Sequence, residues 1–206
     1  MTARSSRSDG AARRELLLEA GVALAAERGV AALTHRAIAQ AAAVPVASAS
    51  YHFPSIDEFR LACFQRAGDR IGGALAEAIA LAEGRTADVP QICGAFAASL
   101  VGERRVDAIA ILQMLATAAY DARLRPLVES FESALGVLLS DYVGSAAAGR
   151  ELGEALQGLL FAQLARGGGS GELQESVRRL IERSRRSEGG TERTPTAEPE
   201  PLTEDV

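Results

Sequence analysis

THRAIAQAAAVPVASASYHFPSIDEF, residues Thr34–Phe59, decides the fold. Thr34 stands where a helix N-cap belongs, and Arg36–Ala42 then reads as a short helix with Ile38, Ala41 and Ala42 turned inward. Pro45 has no amide hydrogen and disfavours helix in the residue before it, so Ala43-Val44-Pro45 predicts a tight turn. Val46–His52 leaves room for about two more helical turns before Pro54 ends them. Ser55-Ile56-Asp57-Glu58 has the S-x-x-E spacing of a capping box and opens a long helix to about Glu83, striped by Phe59, Cys63, Ala67, Ile71 and Leu75. Gly72-Gly73 inside it predicts a bend or a close helix contact.

Helical spacing continues in both directions. Upstream, Leu17, Gly21, Leu24 and Arg28 share one stripe of a helix from about Ala11 to Arg28, and Gly29 supplies its stop. Downstream, apolar periodicity places helices at about 88–102, 106–119, 123–143, 149–166 and 172–186, with GGGSG (167–171) as a flexible connection between the last two. Nothing alternates like a strand, so the fold class is all-α with about nine helices. The organisation expected is an N-terminal three-helix unit (1–54), a helical body (55–187), and a disordered acidic tail (188–206) rich in Pro, Thr and Glu.

The net charge of −5 is unevenly spread. Residues 1–53 hold six Arg against four acids, net +2, while 188–206 hold six acids against one Arg, net −5. The acidic total therefore does not exclude a polyanion-binding head. No apolar run reaches the roughly 18 residues of a membrane span, and MTARSSRSDG lacks a signal-peptide core, so the chain reads as cytoplasmic with no membrane partner. Cys63 and Cys93 sit alone in apolar helical patterns and are read as packing residues. No Ser/His/Asp or Cys/His constellation, phosphate loop or metal cluster is present, which argues against an enzyme, a metal site or a cofactor. His35 shares no metal-ligand spacing and is read as solvated.

Two short helices across a tight turn describe a helix-turn-helix, whose second helix can enter the major groove of double-stranded DNA. The run from Glu27 to Glu58 resembles the DNA-binding domain of the TetR (tetracycline repressor) family. Thr34, Arg36, Ile38 and Ala39 match in the first helix of the pair, Ala42 and Val44 in the turn, Tyr51-His52-Phe53-Pro54-Ser55 at the end of the recognition helix, and Asp57-Glu58-Phe59 beyond it. Thr34 and Arg36 are placed to reach phosphates; Val46, Ala47, Ser48 and Ser50 are small enough to approach base edges. Tyr51 and His52 match the family's backbone-contacting pair, and Phe53 is read as facing the core. Pro45 stands at the usual Ser cap, and Ile56 replaces a frequent Lys, removing one phosphate contact. Arg4, Arg7, Arg13 and Arg14 of the N-terminal arm are candidates to compensate.

The resemblance also implies a homodimer on a palindromic operator and a small-molecule effector. Stripes of Leu152, Leu156, Leu159, Val177, Leu180 and Ile181 suit the dimer seam, with Gly153, Ala155, Gly158 and Ala162 permitting close approach. Phe96, Leu100, Met114, Tyr120, Phe131, Gln157 and Phe161 are candidates to line an effector pocket, with Gln113 and Gln163 as further polar groups. The function expected is a ligand-responsive regulator, a repressor released by a small apolar or amphipathic effector. The alternative is a helical sensor or adaptor dimer that has lost specific DNA binding.

Overall fold

A computed structural model describes residues 2–82 and 88–188, excepting the side chains of 2–8, 79, 81–82, 138 and 185–188. The expected tail from 189 onward lies outside the described residues. Within them stand nine α-helices and no strand: α1 (Thr2–Arg28), α2 (His35–Ala41), α3 (Val46–His52), α4 (Ile56–Ala82), α5 (Val89–Val101), α6 (Arg105–Ala118), α7 (Arg125–Val143), α8 (Ala146–Arg166) and α9 (Ser170–Glu188). Short 3₁₀ turns at Val30–Ala32 and Ala122–Leu124 complete the order.

The helix ends follow from local chemistry. Thr34 caps α2 by accepting from the Ala37 amide at 3.2 Å, and Ser145 caps α8 by accepting from Ala148 at 3.1 Å, which starts α8 at Ala146, three residues before the expected 149. The turn after α2 is a Schellman cap: Val44 N–H reaches the Ala39 carbonyl at 3.0 Å and Ala43 N–H the Gln40 carbonyl at 3.2 Å. Its left-handed position, usually glycine, is Ala43 with φ +54°. Ala39, not Ala41, joins Ile38 in the core.

Three expectations change. α1 begins at Thr2, well before Ala11. Gly72 and Gly73 are exposed with open space around them, so no helix closes on α4 there. The GGGSG connection is an ordered corner: Gly167 adopts φ +67°, Gly168 N–H bonds the Gln163 carbonyl at 3.1 Å, and Ser170 already begins α9. Gln163, only 3% exposed, donates from Nε2 to the Gly169 carbonyl and to Glu172, so its amide holds the corner and does not serve a pocket.

Apolar burial organises the rest. One core runs from Leu17, Ile38, Phe53 and Phe59 of the N-terminal helices into Ile111 and Met114 of α6. A second, built on Leu139, Leu152, Leu173, Val177 and Ile181, joins α7, α8 and α9. Close backbone approach sets both. A Cβ on Gly21 of α1 would lie 2.5 Å from Phe59 Cζ and Cys63 Sγ, and one on Gly149 of α8 would lie 2.6 Å from the Gly136 carbonyl of α7.

Gly21→Ala is therefore expected to cost about 1–3 kcal/mol by overpacking the α1–α4 contact. Ala43→Gly should gain about 1 kcal/mol by relieving the left-handed backbone. Urea midpoints of the two variants against the parent check both signs.

Candidate nucleic-acid interface and apolar cavity

Capped by Pro45 at φ −59° and ψ 143°, with no side-chain hydroxyl involved, α3 begins on a preset proline angle. Ala49 is its one buried residue. The side chains of Val46, Ala47 and Ser50 are exposed, Ser48 is half-buried, and Ser50 Oγ donates back to the Val46 carbonyl at 3.4 Å. Thr34 and Arg36 are exposed at the start of α2. The three successive rings separate: Tyr51 is 82% exposed, His52 is half-buried against its edge at 5.3 Å, and Phe53 is 4% exposed.

Phe53 meets Phe59 edge-to-face at 4.8 Å, and the Arg14 guanidinium lies 4.9 Å over its other side. Its carbonyl, left without a helical partner where Pro54 ends α3, sits 2.6 Å from His35 Nε2. His35 is thus half-buried and pins the first turn of α2 to the end of α3, contrary to its reading as a solvated residue. The pair is 18 residues apart, a separation at which local spacing carries no signal. Ile56 packs against the first core, so the side chain that replaces a frequent Lys serves burial. The N-terminal end of α1 runs beside the end of α3, since a Cβ on Gly10 would lie 3.9 Å from His52. Arg13 and Arg14 are exposed near there; the side chains of Arg4 and Arg7 lie outside the described residues.

Ionic ties connect these helices to the body. Arg70 of α4 pairs with Glu19 of α1 and, at 2.5 Å, with Asp107 of α6, while Arg66 pairs with Glu15 and Glu19 at 3.2 Å. Burial works to raise the Glu19 carboxyl, but the hydrogen bonds and charges of Arg70 and then Arg66 outweigh it and hold the group below its ordinary value. Arg123 bonds Asp57 in the first turn of α4 at 3.0 Å and Asp121 at 2.7 Å; those Arg123 hydrogen bonds bring the Asp121 carboxyl down to about 2.

Behind Arg70 lies an apolar cavity of about 80 Å³ enclosed by α4–α9. Phe96, Leu100, Phe131 and Gln157 line it, with Ile71 of α4 and Ile111 of α6 opposite. Three other candidates lie elsewhere. Met114 is buried in the first core, Tyr120 is 94% exposed at the end of α6, and Phe161 is 61% exposed on the outer side of α8. Gln113 also lies outside the lining. Cys93 lines the cavity, and burial pushes its thiol up to about 11; burial likewise raises Cys63. Neither is a thiolate at neutral pH.

The dimer candidates divide as well. Leu152, Val177 and Ile181 are buried in the protomer's own second core, and Leu156 lines the cavity. Leu159 and Leu180 remain on a shallow outer groove with Ala155, Gly158, Ser176 and Arg179. A Cβ on Gly158 would meet nothing within 4 Å, whereas Gly153 faces Leu135 of α7.

The fold and the α2–α3 geometry define an all-α helix-turn-helix protein with a helical body. Residues 17–63 match the model of the bacterial regulatory proteins of the tetR family. This match and the shared fold support a TetR-family regulator. The multidrug binding protein EbrR, solved with malachite green, is 25% identical, covers 84% of this chain and 97% of its own, and superposes with a TM-score of 0.70. SCO1917, a TetR-family member from Streptomyces coelicolor A3, is 22% identical, with coverage of 84% and 97% and a TM-score of 0.74. A transcriptional regulator from Rhodococcus sp. Rha1, 18% identical, has coverage of 84% and 96% and the same TM-score of 0.74. No curated protein matches the chain. Among the described residues no helix is long and apolar enough to cross a membrane, and no His/Cys/Asp/Glu group has metal-binding geometry.

Because Phe53 is buried and Tyr51 is not, Phe53→Ala is expected to cost about 3–5 kcal/mol, and Tyr51→Ala less than about 0.5 kcal/mol. Thermal melts of the two variants provide the check; the reverse order would mean that the rings are assigned to the wrong sides.

Proposed function

We propose that this regulator binds a palindromic operator as a homodimer, most simply as a repressor in the cytoplasm, and is released by a small molecule in the α4–α9 cavity. The observation that carries the DNA reading is the uncovered outer face of α3, where Val46, Ala47, Ser50 and Tyr51 are exposed beside Thr34 and Arg36 of α2. Small side chains let the α3 backbone approach base edges, with Ser48 at the margin. Tyr51, His52, Thr34 and Arg36 supply phosphate contacts. Arg13 and Arg14, beside the end of α3, extend the phosphate-facing surface. Ile56 has a packing role, so its presence does not favour an adaptor that has lost DNA binding.

The roles divide at residue 54, with the head reading DNA and residues 55–187 binding effector and partner, although one core crosses that boundary. A second copy docks on the outer groove of α8 and α9, with Leu159, Leu180 and Phe161 supplying apolar surface and Gly158 the close approach. Two recognition helices must then sit about 34–36 Å apart. The solved complex of EbrR with malachite green supports a small-molecule site in a protein of this fold. At about 80 Å³ the cavity is far below the roughly 300 Å³ or more of a drug-sized site, so a ligand of that size has to part its walls. Two wall residues, Ile71 and Ala108, directly follow Arg70 and Asp107, so that parting strains the ion pair bracing α4 to α6 and moves the DNA head.

A labelled fragment from beside its own gene should be retarded in a gel and released by rising salt. Tyr51→Ala should weaken retardation at least fivefold without lowering the melting temperature, and failure to retard any fragment at low salt would overturn the DNA reading. Asp107→Asn should loosen the brace by about 1 kcal/mol and speed amide exchange several-fold in residues 67–75 and 108–115. Unchanged exchange in both helices would remove Arg70 from the signalling route.

A further inference from the structure

The wall of the cavity has one chemical character, and that character limits what can enter. The inference rests on the ligand reading above and concerns the charge of the ligand. Leu, Ile, Val, Ala and two Phe side chains make up the lining apart from Cys93 and Gln157, and no carboxylate, guanidinium or imidazole is among them. The Gln157 amide has no hydrogen-bond partner among the described residues. Of the charges adjacent in sequence to the lining, Arg70 and Asp107 are bonded to each other, Arg70 also to Glu19, Glu172 to Gln163, and Arg178 to Glu175 and Glu182. Asp107 is therefore already neutralised and does not offer its charge to a ligand.

We propose that the cavity selects uncharged molecules and rejects permanent cations of the same shape, with the Gln157 amide as its strongest hydrogen-bonding wall group and the Cys93 thiol as a weak one. A cation entering it loses its hydration and gains, at most, the faces of Phe96 and Phe131. A neutral hydrocarbon loses little on leaving water and gains dispersion contacts on every side. The effector class is thus a neutral apolar molecule carrying no more than one or two uncharged polar atoms. Size acts separately: about 80 Å³ is roughly half of the ~150 Å³ cavity that accepts benzene, so even a single-ring ligand has to displace side chains.

An isosteric pair isolates the charge. Neopentylbenzene and benzyltrimethylammonium share one shape and differ by a carbon replaced with a cationic nitrogen, so the cost of opening the cavity is common to both. Calorimetric titration and thermal shift of the full chain should show the neutral member binding at least tenfold more tightly. Gln157→Glu, which places a carboxylate at the wall, should narrow that ratio at least tenfold; Gln157→Leu should keep it. Cation binding equal to or tighter than that of the neutral member would overturn the charge selectivity while leaving the ligand site in place. Binding of neither member would overturn the ligand site and this inference together. A ratio unmoved by Gln157→Glu in a variant that melts cooperatively would remove Gln157 from the wall and refute the assignment.

Discussion

Phe53 is the residue on which the head depends. Its ring packs on Phe59 at the base of α4 and under Arg14 of α1, and its carbonyl is held by His35 of α2. Four helices thus take their relative positions from one residue at the end of α3. Short helices of seven residues are not stable alone, because nucleation is costly and few hydrogen bonds repay it. α2 and α3 exist as helices because this junction and the Ile38–Ala49 core fix them against α1 and α4.

The same junction explains why the head and body are mechanically continuous. α4 carries Phe59 at one end and Ile71 and Leu75 of the cavity wall further along, with no change of core between them other than the Arg70 brace. The brace is partly buried, and burial alone would disfavour the Arg70 charge; the two carboxylates outweigh that penalty and raise its affinity for the proton. An ion pair of this kind contributes little net stability, yet breaking one side leaves a charge in poor solvent. It therefore ties α4 to α6 alongside the apolar contacts of Ala67 and Ile71 with the same core as Ile111 and Met114.

Much of this architecture is legible in the sequence where local chemistry decides it. Pro45 and Pro54 bracket α3 at Val46–His52, and Thr34 announces the start of α2. The start of α1 is not legible, since the polar stretch ahead of Ala11 has no apolar period. Stripes such as Leu152, Leu156, Val177 and Ile181 show that these residues share a face but not what covers it; α7 and α5 cover it within the same protomer. Tyr120 and Phe161 are aromatic rings that the sequence offers to a pocket, yet both lie outside it: Tyr120 stands in the turn after α6, and Phe161 faces outward from α8. Contacts between distant residues, such as His35 with Phe53 and Arg70 with Asp107, need the tertiary fold before they can be seen.

The corner held by Gln163 gives the molecule its stationary frame. With its amide bonded across to Gly169 and Glu172, and Arg166 donating to its Oε1 at 3.2 Å, α8 and α9 are welded at one end into a single rigid hairpin. Gly94 adds a second weld: a Cβ there would lie 2.9 Å from the Gln174 carbonyl, so α5 rides on α9 without slack. A wall that cannot yield passes displacement to the wall that can. Of the elements around the cavity, α4 has open space along its Gly72–Gly73 flank, and α8 has it at Gly158 on the face proposed for a second copy, so with that copy seated an object forced into the interior pushes on α4.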